Sequence, residues 1–234
     1  MYHYDSLILS IETSGDFCSA ALSSKGKNIT STYIDRPRKQ TSSLPFSINI
    51  MFESSGLLVR DCVAVAVSKG PGSYTGLRVG VSLAKGLCFG ADIPLIGIGT
   101  LDLIAHQALE TYEGEKPDFV VPMIDARRME VYQGIYDSEG KLAGQVSPAI
   151  LDGNSYAELL AKGRVLFCGD GAAKFSQVLC NDNAVFFANK PDARYMSQLA
   201  YEKYLAGDFE EPAYVQPLYL KDFAVGKSKK KILG

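Results

Sequence analysis

The feature that most constrains the fold is a repeat of the chain within itself. Short runs rich in apolar and β-branched residues predict a strand over residues 7–12, ending in the carboxylate of Glu12, and two more over 17–23 and 29–34 around Ser24-Lys25-Gly26-Lys27. A helix over 41–55, an apolar strand over 63–67, a glycine-rich turn and a long helix ending near Ala91 follow. The second half keeps that order. A strand over 119–125 ends in Asp125, and strands over 130–136 and 143–150 flank Ser138-Glu139-Gly140-Lys141. A helix near 156–161, a strand over 165–168, the turn Gly169-Asp170-Gly171 and a helix from Ala172 complete it. Glu12 and Asp125 stand 113 positions apart and Gly26 and Gly140 stand 114 apart, so unrelated features share one offset. A period of that length means two like domains rather than a solenoid. A three-strand meander followed by alternating helix and strand predicts a mixed sheet with helices on its faces. The expected fold is α/β, with subdomains over 1–100 and 101–222 and a basic, mobile tail over 223–234. A helix over 195–206 is expected to pack back onto either half.

Composition narrows the function classes. The 234 residues are 47% apolar, enough for a core of ordinary size. A net charge of −2 gives no global attraction to nucleic acid or to an acidic membrane. The N-terminus lacks the basic start of a signal peptide, and no apolar run is long enough to cross a bilayer. Cys18, Cys62, Cys88, Cys168 and Cys180 form no C-x-x-C pair and are expected to be buried thiols, which places the chain in the cytoplasm.

The first glycine turn reads Gly70-Pro71-Gly72-Ser73-Tyr74-Thr75-Gly76-Leu77-Arg78-Val79-Gly80. A turn from strand into helix offers unpaired N–H groups and the positive end of a helix dipole, where anions bind. It fits neither common phosphate fingerprint. Gly76-Leu77-Arg78 stands where a P-loop needs Gly-Lys-Ser/Thr, and the third glycine comes one residue late for a dinucleotide turn. Glu12, Thr13, Ser14, Gly72, Ser73, Asp125, Gly169 and Gly171 are candidates for a vestigial nucleotide cleft. Asp125 is the candidate for a hydrated magnesium. The plainer reading is that Glu12, Thr13 and Ser14 cap a strand and that Arg127 pairs with a nearby carboxylate.

Other chemistries lack their residues. His3 and His106 are the only histidines, and they lie too far apart in sequence to share a helical face. No H-E-x-x-H motif exists, and Ser73 sits in no G-x-S-x-G elbow. No metal site and no catalytic residue are expected.

The long helix after the first turn is apolar nearly all round, and Gly76, Gly80, Gly86 and Gly90 form two pairs at i, i+4. Each interior glycine costs about 1 kcal/mol relative to alanine, which close helix packing would offset. The helix over 41–55 carries a similar apolar surplus. Leu44, Ile48, Met51, Phe52, Gly76, Val79, Gly80, Leu83 and Leu87 are therefore candidates for a partner interface.

Two strand-end carboxylates facing each other across a cleft resemble the actin-like, RNase H-like superfamily that includes sugar kinases and heat-shock ATPases. More specifically, the glycine segment resembles the signature of the TsaB family. So do Ile11-Glu12-Thr13-Ser14, Ile124-Asp125-Ala126-Arg127 with Glu130-Val131-Tyr132, and Pro217-Leu218-Tyr219-Leu220-Lys221. The resemblance runs over nearly the whole chain. It implies a non-catalytic scaffold that pairs with TsaD and TsaE to form N6-threonylcarbamoyladenosine at position 37 of tRNAs reading codons that start with A. It also implies a homodimer when alone, no required cofactor, and at most weak or shared ATP or ADP binding. tRNA would be met indirectly or through the tail. The alternative is a small-molecule kinase or ATPase using the cleft.

Overall fold

The computed structural model describes residues 5–35 and 40–220, so the expected tail lies outside the described residues. The first sheet holds β1 (Leu7–Glu12), β2 (Cys18–Ser24), β3 (Lys27–Ile34), β4 (Cys62–Gly70) and β5 (Leu95–Gly99) in the order β3-β2-β1-β4-β5. The second holds β6 (Phe119–Asp125), β7 (Glu130–Gln133), β8 (Tyr136–Asp137), β9 (Ser147–Ile150), β10 (Val165–Cys168) and β11 (Ala184–Phe187). Its order is β11-β10-β6-β7-β9, with β8 also on β6. Exchanging β1 for β6, β2 for β7, β3 for β9, β4 for β10 and β5 for β11 maps one order onto the other. The antiparallel and parallel pairings map as well. The repeat seen in the sequence is thus a repeat of topology, and the fold is the expected α/β pair of mixed sheets.

The second copy is the slighter one. The strand expected over 130–136 breaks at Gly134-Ile135 into β7 and β8, and the strand expected from 143 begins only at Ser147. Gly134 sits tightly here, since a Cβ on it would stand 3.0 Å from both Leu142 and Tyr136. The first sheet has α1 (Gln40–Ser55) and α2 (Tyr74–Ala91) on one face, whereas the second has only α4 (Ala157–Leu160) and α5 (Ala172–Phe175). Aromatic packing makes up part of the cover there. Phe167 meets Phe175 edge-on at 5.0 Å and stacks on Phe186 at 5.4 Å.

Between the sheets lies α3 (Thr100–Thr111). Its Leu103 joins the first sheet's second core beside Ile96 and Ile98. Its Leu101, Ile104, Ala105 and Ala108 join the second sheet's core beside Val120 and Leu166. A helix used from both sides must be apolar on both sides. Tyr136 locks it in place, its hydroxyl donating to Asp102 at 2.6 Å.

The chain then returns to its first half, which the expected boundary over 101–222 did not separate. α6 (Met196–Ala206) buries Met196 and Ala200 against Ile8, Ala64, Ala66 and Ile96. Since α1 and α2 cover only one face of the first sheet, the other face needs this helix. Burying a side chain such as Met196 contributes roughly 1.5–3 kcal/mol. Beyond α6, the N–H of Glu210 donates to Leu95 O at 2.8 Å and that of Leu218 to Lys69 O at 2.6 Å. Cys18, Cys62, Cys88 and Cys168 are buried free thiols, but Cys180 is exposed, contrary to expectation, because it lies in an irregular surface segment beyond α5. Among the described residues no helix is long and apolar enough to cross a membrane.

Candidate cleft and interaction face

β1 and β6 end at matching places, but their carboxylates differ. Glu12 is fully buried, with its Oε1 accepting from the Ser14 N–H. Burial pushes its carboxyl up, bonds from Ser14 and Ser68 oppose the rise, and the nearby Asp192 charge adds to it. A carboxyl held toward its neutral form is a poor ligand for a hydrated cation. Asp125 is about half exposed and pairs with Lys174 Nζ at 2.9 Å. Partial burial works against its charge, but the Lys174 ammonium and the Arg127 N–H prevail and hold its carboxyl below the usual range. The expected pairing of the Arg127 side chain with a carboxylate is replaced: the backbone N–H of Arg127 donates to Asp125 at 2.6 Å, and Lys174 supplies the countercharge.

The first glycine turn is closed by the chain itself. Ser73 caps α2, its Oγ accepting from Gly76 N at 3.3 Å, while its own N–H donates to Ser14 O at 2.7 Å. A Cβ on Gly72 would stand 2.5 Å from Ser14 O, one on Gly76 2.1 Å from Thr13 O, and one on Gly80 2.1 Å from Thr13 Oγ1. Those glycines let the turn after β1 lie directly against α2. The outer side is met by Leu218, which lies against Gly70, and by Tyr219. Tyr219 packs on Tyr74 at 5.0 Å and accepts from Arg78 Nε at 3.3 Å, and Arg78 lies 4.0 Å above the Tyr74 ring. Lys69, the other cation nearby, pairs with Glu210.

The second turn is occupied in the same way. Gly169 N donates to Asn189 Oδ1 at 2.8 Å, and Gly171 N to Met123 O at 3.0 Å. Gly169 has φ +90°, and a Cβ there would stand 2.3 Å from Met123 O. Asn189 also donates to Ile104 O at 3.0 Å, which ties the turn to α3. From there the chain crosses to the first half, where Pro191 lies against Gly15 and the Ala193 N–H donates to Ser19 Oγ at 2.9 Å. Sequence reasoning passed over Lys174 and Asn189. Neither carries a motif, and only their distance from Asp125 and Gly169 gives them a role.

The proposed interface residues divide into two groups. Leu44, Ile48, Met51 and Phe52 are buried in the first core with Val65, Val67, Ala84 and Cys88. They hold α1 on the sheet, so the expectation that they face a partner is corrected. Gly80 is buried and Gly76 meets Thr13, so this pair too faces inward. Val79, Leu83 and Leu87 remain half-exposed. Gly86 and Gly90 are open, with nothing within 4 Å of where a Cβ would stand. With Leu58, Val59, Arg60, Leu87 and Ala91 they line a surface groove of about 360 Å³. Phe46 is 66% exposed, Ile50 44% and Phe89 91%. The sequence showed the apolar surplus but could not say which members of each helix formed it.

The signature segment from Asp125 to Glu130 forms the turn that joins β6 to β7. Arg127 and Arg128 have φ +72° and +51°. The left-handed region costs a residue with a side chain roughly 1–2 kcal/mol.

The family model described as TsaD: tRNA N6-adenosine threonylcarbamoyltransferase matches residues 37–225. A Haemophilus influenzae protein named tRNA threonylcarbamoyladenosine biosynthesis protein TsaB is 32% identical over 227 residues, covering 92% of this chain and 93% of the relative. The Escherichia coli protein of the same name is 30% identical over 225 residues, covering 92% and 94%. A solved structure described as YeaZ from Pseudomonas aeruginosa aligns with a TM-score of 0.78 at 26% identity, over 92% of this chain and all of that one.

Proposed function

The chain belongs to the TsaB family, and from that premise we propose that it is a non-catalytic subunit in forming N6-threonylcarbamoyladenosine at position 37 of tRNAs that read codons starting with A. Its partners in this reading are TsaD and TsaE, and a second copy of the chain takes TsaD's place when the protein is alone. The observation that carries the non-catalytic reading is that four N–H groups of the glycine turns, those of Ser73, Gly76, Gly169 and Gly171, are taken by the chain itself, at Ser14 O, Ser73 Oγ, Asn189 Oδ1 and Met123 O. Phosphoryl transfer relies on positioned cations and donors. Here Arg78, Lys69 and Lys174 are engaged by Tyr219, Glu210 and Asp125 respectively. No cofactor is required in this reading, and any ATP or ADP would be held chiefly by a partner.

Association is assigned to the outer side of α2 around Val79, Leu83, Gly86, Leu87 and Gly90, with Phe46 and Ile50 of α1. Open glycines let a partner helix approach closely, and exposed aromatic and aliphatic side chains add area. Sedimentation of the chain across a concentration series, with and without TsaD, tests this. A dimer that gives way to the TsaD complex is expected, and a monomer that ignores TsaD refutes the assignment. ATP turnover by the pure chain that rises with magnesium and vanishes in Asp125→Ala would favour the kinase or ATPase reading instead.

A further inference from the structure

We propose that the β6–β7 turn is an RNA-contacting site, at which Arg127 and Arg128 take phosphate oxygens of a tRNA backbone. The inference rests on the functional reading above, because that reading brings a polyanion to this protein.

The turn is built against local preference. Two consecutive residues with positive φ in a tight hairpin are usually glycine, asparagine or aspartate. Here both are arginine. Such departures from local rules gather at sites where function demands a particular side chain.

The turn is also held firmly. Ala126 N donates to Glu130 O at 3.0 Å, Glu130 N to Arg127 O at 3.1 Å and Arg127 N to Asp125 at 2.6 Å. Lys174 Nζ donates to both Glu130 O and Asp125. Lys174 thereby neutralises the carboxylate that would otherwise claim a guanidinium.

Both arginines are exposed, and neither side chain has a hydrogen bond or ion pair among the described residues. Arg78, Arg164 and Arg194 are engaged, by Tyr219, Glu115 and Asp192 respectively, while Arg60, also exposed, stands alone in the short helical turn before β4 rather than beside a second arginine. The matching turn of the first half shows the alternative, since Thr13 and Ser14 are buried beneath α2.

A guanidinium offers a planar fork of donors that fits phosphate oxygens bidentately. Two of them, adjacent and exposed on a hydrogen-bonded turn, suit successive phosphates. Such contacts position a nucleic acid without reading its bases. With a net charge of −2 the chain has no general attraction for RNA, so binding must be local.

The test titrates the full-length chain with an unmodified tRNA transcript across a salt series, in native form and as R127G/R128G. Glycine adopts positive φ freely, so the thermal midpoint should hold or rise. R127N/R128N serves as a second variant that tolerates the same backbone. Loss of two phosphate contacts should weaken affinity roughly tenfold and lower the slope of log affinity against log salt by about 1.4–1.8. Native protein that shows no saturable binding overturns the inference, as does a folded variant with unchanged affinity and slope. Variants that bind tRNA normally but lose TsaD would make the arginines a protein contact, which also overturns it. Association of the native chain with TsaD is measured separately, and failure there counts against the functional reading alone.

Discussion

The two glycine pairs of α2 have the same spacing and opposite surroundings. Gly76 and Gly80 lie under the turn after β1, with Thr13 where their side chains would be. Gly86 and Gly90, further along the same helix, meet nothing. The first pair lets the chain close on itself, and the second lines an open groove. Glycine at i, i+4 reports that a backbone can come close. Whose backbone comes close depends on what the rest of the chain places there.

The largest effect expected from breaking this contrast is at Gly80. Gly80→Leu would drive a branched side chain into Thr13, beside a buried strand end with no room to relax. It should cost about 3 kcal/mol or more, at the upper end for overpacked sites. A urea titration reads this directly, and a variant with a near-native midpoint would mean that Gly80 also faces outward.

Gly86→Leu should behave in the opposite way. Leucine forms helix better than glycine, so the isolated chain should gain up to about 1 kcal/mol. Association should weaken roughly five- to 150-fold, the equivalent of about 1–3 kcal/mol at an overpacked contact. Thermal midpoint and affinity for TsaD are measured on the same preparation. Destabilisation with unchanged affinity would place Gly86 with the inward pair.

The smallest effect sharpens the inner end. Glu12 sits beside Thr13, and burial raises its carboxyl pKa. A group whose folded pKa is raised contributes stability below its unfolded value, and that contribution is lost as pH rises through the folded value. Glu12→Gln removes the charge that high pH would force into the core and keeps an oxygen for the Ser14 N–H. The variant should therefore gain in thermal midpoint at pH values well above the ordinary carboxylate range and gain nothing at low pH. An equal shift at all pH values would mean that the folded site does not disfavour the charge.

Much of the fold was legible because it depends on local pattern. Apolar runs such as Val63-Ala64-Val65-Ala66-Val67 must be buried on both faces, and the matched offsets of Glu12 with Asp125 and Gly26 with Gly140 fixed the duplication. The motifs were enough to identify the family. Sequence alone could not allot the faces. α1 carries Leu44, Phe46, Ile48, Ile50, Met51 and Phe52 within nine residues, and nothing in that string says that Phe46 and Ile50 point outward. The return of residues 193–220 to the first sheet was equally hidden, because the helix pattern of α6 is the same whichever sheet needs cover. Tertiary structure also decided the fate of the glycine turns. A turn's sequence shows that its N–H groups can point at an anion, but Ser14, Asn189 and Met123 reach those groups from 20 or more residues away. Local residue order sets which conformations are accessible, and contacts between distant segments determine which polar groups and apolar faces remain for another molecule to meet.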